Sequence, residues 1–324
     1  MPASTEHPIE VRRRADPNGL GVSDRRLKHL MARGDIKRVV AGSYVQTSEW
    51  DDLTPLRRHL VKVLEVADRS RSRQVFMGAA AAAIWDIDRI GAWPSRVEVR
   101  ISRASGGRSS GAVRRRALGF DGVDVVEWRG HLVTSPAQTA IDVAAESTFR
   151  GGVVAMDQAR WERRTGGALA SAVDLQRMLE RQRRRGLGRV RESLEFGTSR
   201  ADSVRESEAR VLLDLLGFPA PTLQKSFLLP SGRRVRTDFY FEEFDHVGEF
   251  DGTGKYFDPE ILEGRTPQQA LLEEKDREDE LRRIVSGVSR WRTDAHRDPA
   301  LLYDILTRAG VPSRLPRPRR GLRW

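Results

Sequence analysis

The chain has 324 residues, 32% of them charged, with 57 Lys and Arg against 46 Asp and Glu and a net charge of +11. That length predicts two or three domains, and the basic excess points to a polyanionic partner, nucleic acid first. The absence of cysteine excludes disulfides, Cys-ligated zinc and thiol catalysis; with no apolar signal segment near the start, and Ala79–Trp85 too short to span a bilayer, a cytoplasmic protein is expected.

Residues 1–70 read as a small DNA-binding unit. Ser23 is placed to cap a helix with an apolar stripe of Leu27, Leu30 and Met31, and Gly34 to end it. Ile36–Val40 and Ser43–Gln46 follow as two short strands around Ala41-Gly42, a hairpin of wing size. Arg25, Arg26, Lys28 and His29 take the remaining helix face, and Lys37 and Arg38 the wing. These are the candidate nucleic-acid contacts, with a solvated basic helix as the bland alternative. Pro8 and Pro17 leave little room upstream for a full first helix.

Residues 71–165 read as an α/β module, with a helix at Ala79–Ile84 and strands at Val97–Ile101, Val123–Glu127 and Leu132–Thr134. Ser135-Pro136 opens a further helix through Glu146. Arg114–Arg116 read as solvated, and Asp142 and Asp157 as isolated structural carboxylates. Residues 166–200 read as a basic helical connector and 311–324 as a disordered basic tail.

Residues 201–310 carry the chemistry. Ser203 opens a helix with Ala209, Leu212, Leu213 and Leu216 at helical spacing. Strands follow at Thr222–Leu229, Val235–Phe241 and Val247–Asp251. A long helix from Thr266-Pro267 through Ile284, a strand at Val288–Arg292 and a helix at Pro299–Thr307 complete the order. Glu249 and Asp251 alternate onto one face of their strand. Carboxylates crowded together lose hydration and repel, and a hard cation such as Mg²⁺ or Mn²⁺ with oxygen ligands relieves this. Only six of the basic residues are lysine, and two, Lys255 and Lys275, lie beside this acidic cluster. Glu206 has a structural alternative as the third residue after a Ser203 cap; Asp238 could pair with Arg234 or Arg236. Glu274, Lys275 and Arg277 could be helix-surface pairs.

Two resemblances organise these observations. The run GVSDRRLKHLMARGDIKRVVAGSYV is similar to the N-terminal winged helix-turn-helix of the AbiEi-family antitoxins. TSPAQTAIDVA resembles the middle segment of actinobacterial proteins that join such a start to a nuclease-like end. The C-terminal order, with RESEAR, TDFYF, EFDGTGKY, EEKDREDELR and VSRWR, resembles the PD-(D/E)XK nuclease superfamily in its DUF559 and Vsr-like (very-short-patch-repair-like) branch. The implied fold class is multidomain α/β (α+β): a winged helix-turn-helix, a middle module and a restriction-endonuclease-like domain. Carried over, Asp238, Glu249 and Asp251 become metal ligands, Glu206 supports them, and Lys255 orients the attacking water. The chain departs from the pattern where the lysine of E-x-K is replaced by Asp251, so Lys255 or Lys275 has to stand in. Metal-dependent DNA cleavage is the leading expectation. A non-cleaving regulator on a degenerate nuclease fold is its rival, and an RNA-directed protein a further one.

Overall fold

The computed structural model describes residues 6–14, 21, 23–106, 109–182, 187–251, 266–319, 321–322 and 324. They form a mixed α/β protein with three sheets and twelve helices among the described residues. The chain divides into two units, Met1–Ser199 and Arg200–Trp324. The winged-unit, middle-module and connector segments read from the sequence all fall in the first.

Unit 1 begins with a three-stranded antiparallel sheet of order β1-β3-β2, built from β1 (Arg12–Arg13), β2 (Ile36–Val40) and β3 (Ser43–Gln46). Helix α1 (Asp24–Arg33) packs on it through Leu27 and Leu30 against Ile36 and Tyr44. Its ends follow the sequence signals: the Ser23 hydroxyl accepts from the Arg26 N–H, and Gly34 adopts φ 78° to close the last turn. Helices α2 (Thr47–Asp52) and α3 (Pro55–Arg69) lead into the main body.

That body is a five-stranded sheet of order β6-β5-β4-β8-β7, with β4 Val75–Phe76, β5 Val97–Ile101, β6 Val113–Ala117, β7 Val125–Trp128 and β8 His131–Thr134. It is mixed: β4–β8 and β5–β6 run parallel, β4–β5 and β7–β8 antiparallel. Helices α4 (Gly78–Trp85), α5 (Pro136–Ala145), α6 (Phe149–Arg160), α7 (Ala172–Arg181) and α8 (Leu187–Phe196) build the rest of its core. Every residue of α4 is buried, as a run of five alanines allows where backbones pack closely. Glu98 of β5, itself 3% exposed, caps this helix by accepting the Ala79 N–H at 3.2 Å, while Arg116 bonds its other oxygen at 3.0 Å. Gly78 turns there with φ +55°, and a Cβ on it would lie 2.6 Å from the Glu98 carboxylate. The segment read as a connector is not a linker. Leu175, Met178, Leu179, Val190 and Leu194 of α7 and α8 are core residues, since their apolar faces need a partner as much as any other amphipathic helix.

Unit 2 carries a four-stranded sheet of order β12-β11-β10-β9, from β9 (Thr222–Leu228), β10 (Arg234–Phe241), β11 (His246–Phe250) and β12 (Gly287–Trp291). The first three strands form an antiparallel meander and β12 returns parallel to β11. Helices are α9 (Val204–Leu215), α10 (Pro267–Leu281), α11 (Thr293–Arg297) and α12 (Pro299–Arg308). One core gathers Ala209, Leu212, Phe239, Phe250, Trp291 and Leu302; a second joins Val247 and Val288 to Leu281. The tail expected to be disordered is folded back where it is described. The Ser313 hydroxyl donates to the Leu216 carbonyl at 2.5 Å, the Arg314 N–H to that of Gly217 at 2.9 Å, and the Trp324 indole to the His296 carbonyl at 2.8 Å. Trp324, packed against the unit 2 core, and these backbone bonds outweigh the basic composition that suggested disorder.

Candidate functional site

The strand register dictates how the acidic residues of unit 2 are disposed. In the β11–β12 ladder Glu249 lies opposite Arg290. The β10–β11 ladder runs as far as Phe239 opposite Gly248. One residue beyond, the Asp238 carboxylate accepts the Phe250 N–H at 2.9 Å, taking the place of a backbone acceptor where the strands part.

Glu249, 6% exposed, is gripped by Arg277 of α10 through both guanidinium ends, at 2.8–3.0 Å. Arg290 reaches the same carboxylate at 3.4 Å and Asp251 at 2.8 Å. It also bonds Glu274 at 2.6 Å and Glu278 at 2.7 Å. Arg277 pairs with Glu274 at 2.7 Å, and Arg282 with Glu278 at 2.7 Å. Four carboxylates and three guanidiniums thus form one lattice between α10 and the sheet. Burial opposes the charge on Arg277, but its bonds to Glu274 and Glu249 outweigh that and hold its pKa above the ordinary value. Burial likewise works against the Glu274 carboxylate, yet Arg277 and Arg290 keep its pKa below the usual range. Such charge-assisted, forked bonds are the strongest a side chain makes.

Glu206 belongs to a separate group. From the first turn of α9 its oxygens accept the Ser203 hydroxyl at 2.9 Å, the Asp202 N–H at 2.9 Å and the Gln224 amide at 2.7 Å. Burial first, then the nearby Asp238 charge, push its pKa up to about 7 despite those three donors. Gln224 holds φ 56°, a left-handed conformation that costs a side-chain-bearing residue on the order of 1 kcal/mol. Its amide is thereby brought to the Glu206 carboxylate.

Of the carboxylates expected as ligands, Asp238 acts on Glu206 and bonds the backbone between Glu249 and Asp251, while Glu249 and Asp251 share Arg290. Among the described residues, the one set of three acidic or His ligand atoms within 4.8 Å of one another is His7, Glu65 and Asp68, in unit 1. Glu206, Asp238, Glu249 and Asp251 form no such set among the described residues, and Glu249 and Asp251 are paired with Arg277 and Arg290. Lys255 lies outside the described residues, and Lys275 is exposed on α10. Arg236, weighed as a partner for Asp238, instead pairs with Asp202 at 3.3 Å. Sequence pattern singled out Arg277 but gave no role to Arg290 or Glu278. Their signal was there in part: Glu274, Arg277, Glu278 and Leu281 recur at the spacing of one helix face.

The cations of the N-terminal element are disposed differently. Arg25, Arg26, Lys28 and Arg38 are exposed and, among the described residues, none makes an ion pair or side-chain hydrogen bond. Lys37 differs, its ammonium held by Asp51 at 2.5 Å. No helix precedes α1 among the described residues. In the middle module, Arg114 and Arg116, read as solvated, both pair with buried Glu98.

No family model matches the chain. It is similar to an uncharacterized protein of Mycobacterium tuberculosis, in strains CDC 1551 / Oshkosh and ATCC 25618 / H37Rv, at 32% identity over 146 residues, 44% of this chain and 52% of that protein. The chain thus spans about half the length of the curated relatives it matches. No helix among the described residues is long and apolar enough to cross a membrane.

Proposed function

We propose that this chain is a DNA-binding protein in which α1 and the β2–β3 hairpin contact phosphate, and in which unit 2 is a nuclease-like scaffold serving as a non-cleaving domain. The observation that carries the reading is the set of four exposed cations, Arg25, Arg26, Lys28 and Arg38, without carboxylate partners among the described residues. A cation already paired has to surrender its partner before it can neutralise a phosphate; these four do not. Their location on one short helix and the adjoining hairpin suits a winged element, in keeping with the AbiEi-like resemblance. The arginine lattice supports the second half of the proposal, since Glu249 and Asp251 have spent their charge within the protein.

A second reading, metal-dependent phosphodiester hydrolysis in a PD-(D/E)XK-like domain, draws support from Glu206 and Asp238. Two carboxylates crowded beside a strained Gln224 are the sort of arrangement that functional sites retain. It requires Glu249 to exchange Arg277 for the ion.

One experiment separates the readings. The full chain is incubated with duplex DNA at low salt, with and without Mg²⁺ or Mn²⁺, and followed for both retardation and cleavage. Retardation without cleavage, abolished when Arg25, Arg26, Lys28 and Arg38 are all changed to Gln, is the expected result. Cleavage eliminated by Asp238→Ala would establish the second reading, and absence of both retardation and cleavage would remove both.

A further inference from the structure

A different cluster of cations in unit 1 centres on Lys62, which has no ion pair among the described residues. His59 and Lys62 stand one helical turn apart on α3, so their side chains share a face. His59 is 1% exposed, yet neither ring nitrogen reaches a hydrogen-bond partner of normal geometry. Its ring lies 5.2 Å from that of Trp93, and the Arg89 guanidinium sits 5.8 Å from the Trp93 ring centre. Arg89 also donates to the Ala92 carbonyl at 3.0 Å, while the Asp88 carboxylate accepts the Arg89 backbone N–H at 2.7 Å.

Three facts single out this cluster. Lys62 is half-buried, and among the described residues its ammonium has no ion pair and no hydrogen bond. Burial alone lowers its pKa, with no carboxylate acting in the other direction. Burial, then Lys62 and Arg89, push the pKa of His59 down to about 3, with the Pro94 backbone the weakest influence and the one that opposes. A half-buried ammonium usually acquires a partner or retreats to water. Here it does neither, whereas the half-buried arginines Arg277 and Arg290 are matched to acids.

We propose that Lys62 and Arg89, backed by His59 and flanked by the Trp93 ring, form a binding site for a phosphate group. Lys62 supplies a compact charge and Arg89 a planar fork, the two complementary ways of holding phosphate oxygens. A dianion placed there lowers the positive potential on His59. The indole beside Arg89 gives an apolar wall against which a base or sugar attached to the phosphate can rest. Two sources share this chemistry, a free phosphate and the backbone of a nucleic acid. The site is separate from the α1 and hairpin cations and does not rest on the DNA reading.

The test uses the full chain in a phosphate-free buffer, with Trp93 fluorescence and thermal midpoint as readouts. It is titrated first with inorganic phosphate and then with a short DNA duplex; Trp93→Phe identifies the fluorescence component. Lys62→Met keeps the length and apolar stem of the side chain, so it folds whether or not the site exists. The expected result is saturable quenching and a raised midpoint, with affinity reduced about tenfold or more in Lys62→Met and in Arg89→Gln. A response to inorganic phosphate assigns the site to free phosphates; a response to the duplex alone assigns it to a nucleic-acid backbone. The His59 C2–H resonance should begin to titrate at higher pH once the ligand is bound. If neither ligand moves any signal, or if both variants respond as the unmodified chain does, the site does not exist.

Discussion

Arginine is used in opposite ways at the two ends of this protein. On α1 and β2, Arg25, Arg26 and Arg38 are exposed and without acidic partners among the described residues. Between α10 and the unit 2 sheet, Arg277, Arg282 and Arg290 are consumed by Glu249, Asp251, Glu274 and Glu278. The first set is available to a polyanion and adds little to folding. The second holds buried acids in place and has little charge to offer. A net charge of +11 therefore says less about where nucleic acid binds than the pairing of each cation does.

Several substitutions break or sharpen that contrast. Removing Arg277 has the largest expected effect, because Arg277→Met leaves the buried Glu249 carboxylate without its main partner. A loss of about 3–5 kcal/mol is expected, read from urea melts of the full chain. Adding Glu249→Leu to that variant should recover most of the loss, since the unpaired charge goes with it. If the single variant melts like the unmodified chain, the lattice is ornamental.

Replacing Arg25, Arg26, Lys28 and Arg38 together by Gln should leave those melts nearly unchanged while weakening DNA retention. The slope of log affinity against log salt should flatten by roughly 0.9 for each phosphate no longer neutralised, up to about 3.6 for four. An unaltered slope would show that phosphate is held elsewhere.

Glu206 gives the next effect, with a definite sign. Its carboxyl holds a proton up to about pH 7 when folded and only to its ordinary range, near 4.5, when unfolded. The folded state therefore binds the extra proton, and stability falls as pH rises from about 4.5 through 7. The whole change is on the order of 3 kcal/mol, and Glu206→Gln should flatten it. A stability profile over that window with the same slope in both proteins would contradict the assignment. Smallest of all, Arg25→Gln alone should shift stability by no more than about 0.5 kcal/mol, as exposed unpaired side chains do.

The elements of unit 2 were largely legible in the sequence because their signals are local. Ser203, Thr266 and Pro299 mark helix starts, Gly217 and Pro219 a stop, and alternation marks the strands. The same holds for α1 and its hairpin, where Ser23, Gly34 and Gly42 fix the turns. What could not be read locally was pairing. Glu249 and Arg290 are 41 positions apart and meet because β12 returns parallel to β11. Asp238 and Glu206 converge through packing of α9, and the Gln224 conformation that brings its amide to Glu206 has no sequence mark. Shared-face alternation placed Glu249 and Asp251 together, but it could not say that arginine would reach them. The tail failed for a related reason: composition suggested solvation, whereas Trp324 had a core to join.

The meeting of Gly78 with Glu98 offers a practical handle. Any side chain at position 78 has to displace the carboxylate that starts α4, taking from Arg114 its partner and from Arg116 one of two, and disturbing a helix whose every residue is buried. Gly78→Ala is thus a rational conditional allele, tolerated in the cold and failing on warming. It would switch the protein off in living cells while leaving each charged surface chemically intact.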